Sequence, residues 1–142
     1  VMKTETSVGG ISIGVKNLLG LIPDKVKTHL HPILDEVLVE LLKMFKPDLT
    51  VVDATTAYLG SYPNHKPFNI GLIVAGRDVV AVDAVCCMMM GINPQRIRHL
   101  ALTARAGLGS IDPNEIEIVG LKLEEVTPTF RAAESIFRQN KS

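Results

Sequence analysis

Apolar residues along the chain fall into blocks of distinct period. Val8, Ile11, Val15, Leu18, Leu19 and Ile22 are spaced three, four, three, one and three apart, the stripe of an amphipathic helix with Ser7 as cap and Pro23 as stop. In "HPILDEVLVELLKMFKPD", Pro32 suits a first helical turn, Ile33, Leu34, Val37, Leu38, Leu41, Leu42 and Phe45 line one broad face, and Pro47 ends the run. "LTVVDA" reads as a short buried strand ending in Asp53 and "FNIGLIVAG" as a second, with residues 55–67 as the loop between them. "RDVVAVDAVCCMMMG" predicts a helix capped by Asp78 and terminated by Gly91, and "NPQRIRHLALTARAG" repeats the scheme with Asn93, Pro94 and Gly107. "EIEIVG" alternates like an exposed or edge strand, and "TPTFRAAESIFRQ" predicts a closing helix. Interleaved helices and strands give an α/β layer structure with a small mixed or mostly parallel sheet.

The size of the chain, 142 residues with 46% hydrophobic and 21% charged, suits one domain over residues 1–142. Fifteen basic residues balance fifteen acidic ones, so no net field gathers nucleic acid or anionic lipid. Asp83 breaks the longest apolar run well short of a bilayer span, so no membrane segment is expected. Cys86 and Cys87, the only cysteines, exclude a disulfide framework or a four-cysteine iron–sulfur site built by this chain alone, and fit a reducing cytoplasm. Beside three methionines they read as soft core filling. The first residue is Val1, which leads to the expectation of a truncated domain, or one completed by a second chain, as a homo-oligomer or with a partner module.

"VKNLLGLIP", "PDLTVVDA", "AGRDVVAVDAVCCMMMGINP" and "GLGSIDPNEIEIVG" resemble successive landmarks of the domain of unknown function 362 family, uncharacterised proteins associated with iron–sulfur centres. The resemblance runs through nearly the whole chain. In that family a Lys-Thr-His step precedes the Lys-Asn helix; here Lys3 and Thr4 match and Glu5 occupies the histidine position. The loop "GSYPNHKP" matches less well. The resemblance also implies a missing N-terminal segment and a ferredoxin-like cluster module outside this chain.

Two groups of residues carry candidate chemistry. Gly9, Gly10 and Gly14 permit close backbone approach at a helix start, where free N–H groups attract anions, although their spacing is neither a Walker loop nor a dinucleotide fingerprint. Tight packing of helix on sheet is the plainer reading of the glycines, and a solvated face explains Lys16 and Asn17 equally well from pattern alone. Lys16 and Asn17 lie off the apolar stripe near that turn, and Lys3 precedes it. The second group is acidic: Asp53 at a strand end, Asp78 at a helix start, and Asp83 within an apolar helix, where its carboxylate must meet a cation, a hydrogen-bond donor or a proton. Plain capping and turn roles compete for Asp78 and Asp53. His29, His31, His65 and His99 lack metal-ligand spacing and read as surface or capping residues; Arg96, Arg98, His99 and Arg105 form a solvated basic flank able to dock an acidic module.

Two functional classes follow. In the first, the chain is a ligand- or cofactor-binding domain of a ferredoxin-linked, redox protein: Lys3, Gly9, Gly10, Lys16 and Asn17 hold a small anionic molecule, and Asp53, Asp78 and Asp83 hold a divalent metal or a proton in one common cleft. In the second, the chain is a non-catalytic interaction or scaffold domain whose polar residues are internal pairs.

Overall fold

In the computed structural model, residues 1–5, 9–60 and 63–127 are described. The chain begins with a small hairpin, β1 (Thr4–Glu5) against β2 (Gly10–Ile11), and passes into a one-turn helix α1 (Gly14–Asn17) that tightens into a 3-10 turn (Leu18–Leu21). A 3-10 segment (Thr28–Ile33) leads into α2 (Leu34–Met44). Strands β3 (Thr50–Leu59) and β4 (Lys66–Gly76) form a long antiparallel hairpin, followed by α3 (Val79–Met89), a 3-10 turn (Pro94–Arg96) and α4 (Arg98–Arg105).

The spine of the core is α3. Val79, Val80, Val82, Ala84, Val85, Cys86, Cys87 and Met89 are all buried, and the helix packs against α1, α4 and β4. Its ends follow local chemistry: Asp78 accepts from the Val80 and Ala81 N–H groups at 2.8 and 3.1 Å, and Gly91 leaves the helix at φ +71°. The other oxygen of Asp78 accepts Ser110 N–H at 2.9 Å and fastens the loop after α4 to the start of α3. Gly109 permits this approach, because a Cβ there would strike the Asp78 carboxylate and lie 2.7 Å from Val80 Cβ.

Asp83, also on α3, is fully buried and accepts N–H from Gly14 (2.7 Å) and Val15 (2.9 Å). A carboxylate 68 and 69 residues away in sequence thus caps α1. Of the three partners open to this acid, a hydrogen-bond donor is the one it meets. Burial pushes its carboxyl up to about 7, with the two N–H groups opposing the rise. Gly14 is required by proximity: a Cβ would stand 2.8 Å from Asp83 Oδ1 and 2.7 Å from Val79 Cγ2.

The helix expected over residues 8–22 is therefore shorter and begins at Gly14; Ser7 and Val8 lie outside the described residues. Gly9 and Gly10, at φ +79° and +73°, turn the chain back as a hairpin instead. Ile11, Val15 and Leu18 are buried all the same, since the bent segment keeps one face on the core. Residues 55–59, expected in a loop, continue β3, and Asp53 lies mid-strand. The α/β class stands, but both described two-stranded sheets are antiparallel, and parallel pairing is confined to one bridge between Lys3 and Tyr58. "EIEIVG" forms no strand among the described residues, and the closing-helix residues 128–142 lie outside them.

One face of the β3–β4 hairpin covers the core with Val52, Ala54, Ala57 and Leu59; the other leaves Val51 and Ile73 exposed. The register slips by one residue between Ala54 and Thr56, near Gly71 at φ +74°. Asp53 accepts N–H and hydroxyl from Thr55 at 2.9 and 2.6 Å at this irregularity. Met2 bridges the same stretch, donating to Asp53 O and accepting from Tyr58 N, each at 3.0 Å.

Two outcomes test these links. Asp83→Ala strands two helix N–H groups and costs about 2–4 kcal/mol, from the lost cap and the unsatisfied donors. Because the folded carboxyl titrates near 7 and its ordinary value is 3.8, the native state binds the proton more tightly. Stability from this group is complete below pH 3.8 and is lost as the pH rises through about 7. Urea titrations across this range therefore show the native protein losing stability relative to Asp83→Asn; a pH-independent difference contradicts the assignment. Gly109→Ala, measured the same way, costs roughly 1–3 kcal/mol by overpacking against Asp78. At Gly20, where a Cβ would meet nothing within 4 Å, the same change stays within about 0.5 kcal/mol.

Candidate functional site

The candidate residues divide between two kinds of place. Asp78 and Asp83 point at backbone amides from the two sides of α3, and Asp53 lies on the exposed face of the hairpin, held below the usual carboxylate range by the Thr55 hydroxyl and amide. Lys3, Gly9, Gly10 and Lys16 gather elsewhere, at a corner where the glycine turn meets α1, the first turn of α2 and the first turn of α4. Asn17 is exposed on α1 beside Lys16.

At this corner a Cβ on Gly9 would lie 3.5 Å from Lys16 Nζ and 3.6 Å from Leu34 Cδ2, while one on Gly10 would strike Ile97 Cδ1 at 2.7 Å. Both glycines are also left-handed, so a side chain at either position is strained by conformation, and at Gly10 the space is taken as well. The Lys16 amine is half-buried and held below its ordinary pKa. Burial is the largest cause; of the neighbouring charges, Glu5 and Asp35 oppose the fall and Lys3 adds to it.

Asp35, in the first turn of α2, reaches toward α4. Its Oδ2 is 3.5 Å from Arg98, which also pairs with Glu36, and its Oδ1 is 3.5 Å from Nδ1 of His99. That last contact stands at the limit of hydrogen-bond distance. Asp35 Oδ1 and both ring nitrogens of His99 are buried without a hydrogen-bond partner among the described residues. Burial pushes the His99 imidazole down to about 4, Asp35 opposes this, and Lys16 reinforces it, so the ring is neutral at pH 7.

The outer side of the corner is fixed by β1. Thr4 Oγ1 accepts Gly60 N–H at 2.7 Å and donates to Gly60 O at 3.1 Å, clasping the end of β3. His65 donates from Nε2 to Thr4 O at 3.1 Å, with the same nitrogen 3.8 Å from a Glu5 carboxylate oxygen. Glu5, which stands where the resembled family has histidine, is thus met by a histidine from the β3–β4 loop.

Asp35, Glu5, His65 and His99 were missed as a group by sequence reasoning. His99, expected as a solvated residue, is fully buried; Thr103, four residues on and also buried, marks the same side of α4. Its Oγ1 donates to the His99 and Leu100 carbonyls and leaves the imidazole without that partner. Chemically the corner offers a desolvated ammonium, a second lysine, a neutral imidazole with two uncommitted nitrogens, and a carboxylate. Among the described residues no group of three or more His, Cys, Asp or Glu is placed to hold a metal ion. Cys86 and Cys87 are buried free thiols that desolvation pushes up, Cys87 to about 12, an environment unfit for binding a cluster through thiolate.

Comparison with known proteins adds a family and one informative relative. The family described as Domain of unknown function (DUF362) matches residues 1–88. Thylakoid-associated protein sll1697 of Synechocystis sp. is 34% identical to this chain, with 82% of the chain and 41% of that relative covered by the match. The chain therefore spans 41% of the length of the curated relative it matches. No solved structure matches. No helix among the described residues is long and apolar enough to cross a membrane. With the family match covering residues 1–88 of 142, and landmark residues such as Asp78, Asp83 and Gly109 each given a structural role, the chain belongs to the DUF362 family, a domain of unknown function.

Proposed function

We propose that this chain is a ligand-binding domain that takes a small anionic molecule at the corner formed by Lys3, Gly9, Gly10 and Lys16, with Asn17 at its mouth and His99 and Asp35 behind. The observation that carries the reading is the Lys16 ammonium, half-buried beside Gly9 and held below its ordinary pKa by burial, with Glu5 and Asp35 opposing the fall and Lys3 adding to it. An anion there offsets the cost of burial, and the left-handed glycines let it approach the backbone. His99 supports the reading because its two ring nitrogens have no other described partner.

The aspartates favour the second reading, in which polar residues are internal pairs. Asp78 and Asp83 direct their oxygens at backbone N–H groups, which leaves a divalent metal no support from their geometry. A redox role through a ferredoxin-like module rests on the family resemblance, and such a cluster would sit outside this chain. A reducing, cytoplasmic location belongs to the same reading, on the ground of two free thiols. The thylakoid association named for the relative makes a membrane surface the competing location.

Thermal unfolding with inorganic phosphate, nucleotides and Mg²⁺ tests the anion site. A bound anion at a hundredfold excess over its Kd stabilises the fold by roughly 2.7 kcal/mol. The expected result is a rise in Tm with phosphate or nucleotide that Lys16→Met abolishes and Asp53→Ala keeps. A Tm unmoved by every anion, or moved equally in Lys16→Met, leaves the scaffold reading. His99→Phe removes two buried unpartnered nitrogens, so it holds stability within about 1 kcal/mol or raises it. The same change weakens anion binding, which calorimetric titration reads directly.

A further inference from the structure

A groove of about 510 Å³ lies on the opposite side of α3 from the Lys16 corner's helix α1. One wall is β4 from Leu72 to Gly76, the floor is the α3 side bearing Ala81, Val82, Val85 and Met89, and the far wall is the segment from Ile116 to Leu121. Five consecutive β4 residues line it, although neighbouring side chains in a strand point to opposite faces. That is the signature of an edge presenting its backbone. β3 occupies the other edge, and among the described residues β4 makes no backbone hydrogen bonds except to β3.

The far wall has the sequence of a strand without the structure of one. "EIEIV" alternates acidic and apolar residues, yet residues 116–119 belong to no helix or strand and make no backbone hydrogen bond among the described residues. Ile118 and Val119 are 40% and 87% exposed. Two strand-competent segments therefore face each other across an apolar floor, each lacking a partner among the described residues on the side of the gap. An unpaired edge of this kind is a template for one further strand.

We infer that this groove is a strand-accepting slot, filled by a single extended segment with apolar residues at alternate positions, supplied by the part of the longer family protein that this chain does not span. Apolar side chains of the incoming segment face Val82, Val85 and Met89, and its backbone bonds to β4. The far wall decides between occupants: the β4 of a second copy carries β3 along its other edge, and that hairpin would run into residues 116–121. A lone strand has no such obstacle. The chain spans 41% of its relative, so most of such a protein lies outside it and is available to supply the segment. The inference is independent of the anion corner.

The test uses the 142-residue chain and a labelled heptapeptide, Lys-Val-Thr-Val-Thr-Val-Lys, with two controls: the same peptide N-methylated at alternate residues, and one with its three valines grouped together. Fluorescence anisotropy reads binding and hydrogen exchange reads the amides of residues 72–76 and 116–119. The alternating peptide is expected to bind roughly tenfold or more tightly than either control and to slow exchange at the outward amides of 72–76, because main-chain bonds supply affinity and alternate pockets supply specificity. Ala81→Lys projects into the slot from the half-buried first turn of α3; it abolishes binding while leaving Tm close to that of the native chain. Equal binding of the N-methylated peptide overturns the inference. So does protection of 72–76 in the chain alone, whether independent of concentration, which assigns the slot to residues 128–142, or rising with it, which assigns it to a second copy.

Discussion

The carboxylate of Asp83 is taken out of water and set against the first amides of a helix only four residues long. An isolated helix of that length has no stability of its own, since nucleation is costly and every early N–H is unsatisfied. The cap from α3 supplies what the local sequence lacks. It also dictates the surroundings: residue 14 must be glycine to admit the carboxylate, and α3 must carry an acid at a position otherwise surrounded by valine, alanine and cysteine. Once α1 is fixed in this way, Lys16 is held two residues beyond Gly14 beside Gly9, so a buried carboxyl group on one helix positions a half-buried ammonium on another.

Much of the fold could be read from local signals. The Asp78 cap, the terminations at Gly91 and Gly107, and the α2 stripe from Leu34 to Leu42 depend on residues within a few positions of one another and appear in the structure. Ile33 and Phe45 fall outside α2 and are exposed, and Asn93 caps only a 3-10 turn, since extended Ile97 breaks the expected helix before α4. What escaped was non-local. The segment "TTAYL" looked like loop because its polar threonines face solvent; it becomes strand through pairing with residues 66–69 and through Met2. The 3.6-residue spacing from Ile11 to Ile22 was genuine as a record of burial and misleading as a record of helix, since the segment before Gly14 is a hairpin with two left-handed glycines that keeps Ile11 on the buried face. The oddness of Asp83 was visible in the sequence, but the identity of its partner was not, because the amides it binds lie 68 and 69 residues away.

Charge balance shapes what the corner can do. Lys3 and Lys16 are offset by Glu5 and Asp35, and the whole chain carries no net charge. No long-range field marks the corner out, so what distinguishes it is short-range: the left-handed glycines, the half-buried ammonium of Lys16 and the neutral imidazole of His99. The three aspartates that share the sequence's candidate chemistry with these residues serve instead to hold a loop, a helix end and a strand irregularity in place. Candidate chemistry and candidate architecture thus separate by the kind of partner each charge has found, side chains in one case and backbone amides in the other.

The clasp of Thr4 on Gly60 spans 56 residues, the reach of His65 to Thr4 spans 61, and the Asp83 cap spans 69. Loops of such length close only after large losses of chain entropy, and contacts of that separation form late compared with those inside a helix or hairpin. Helices α2 and α3 and the β3–β4 hairpin can therefore assemble from local contacts while the corner is still open. In folding, the hairpin that carries the glycine turn is itself local, but the corner around it is complete only when the start of the chain has found segments 56 to 69 residues further on.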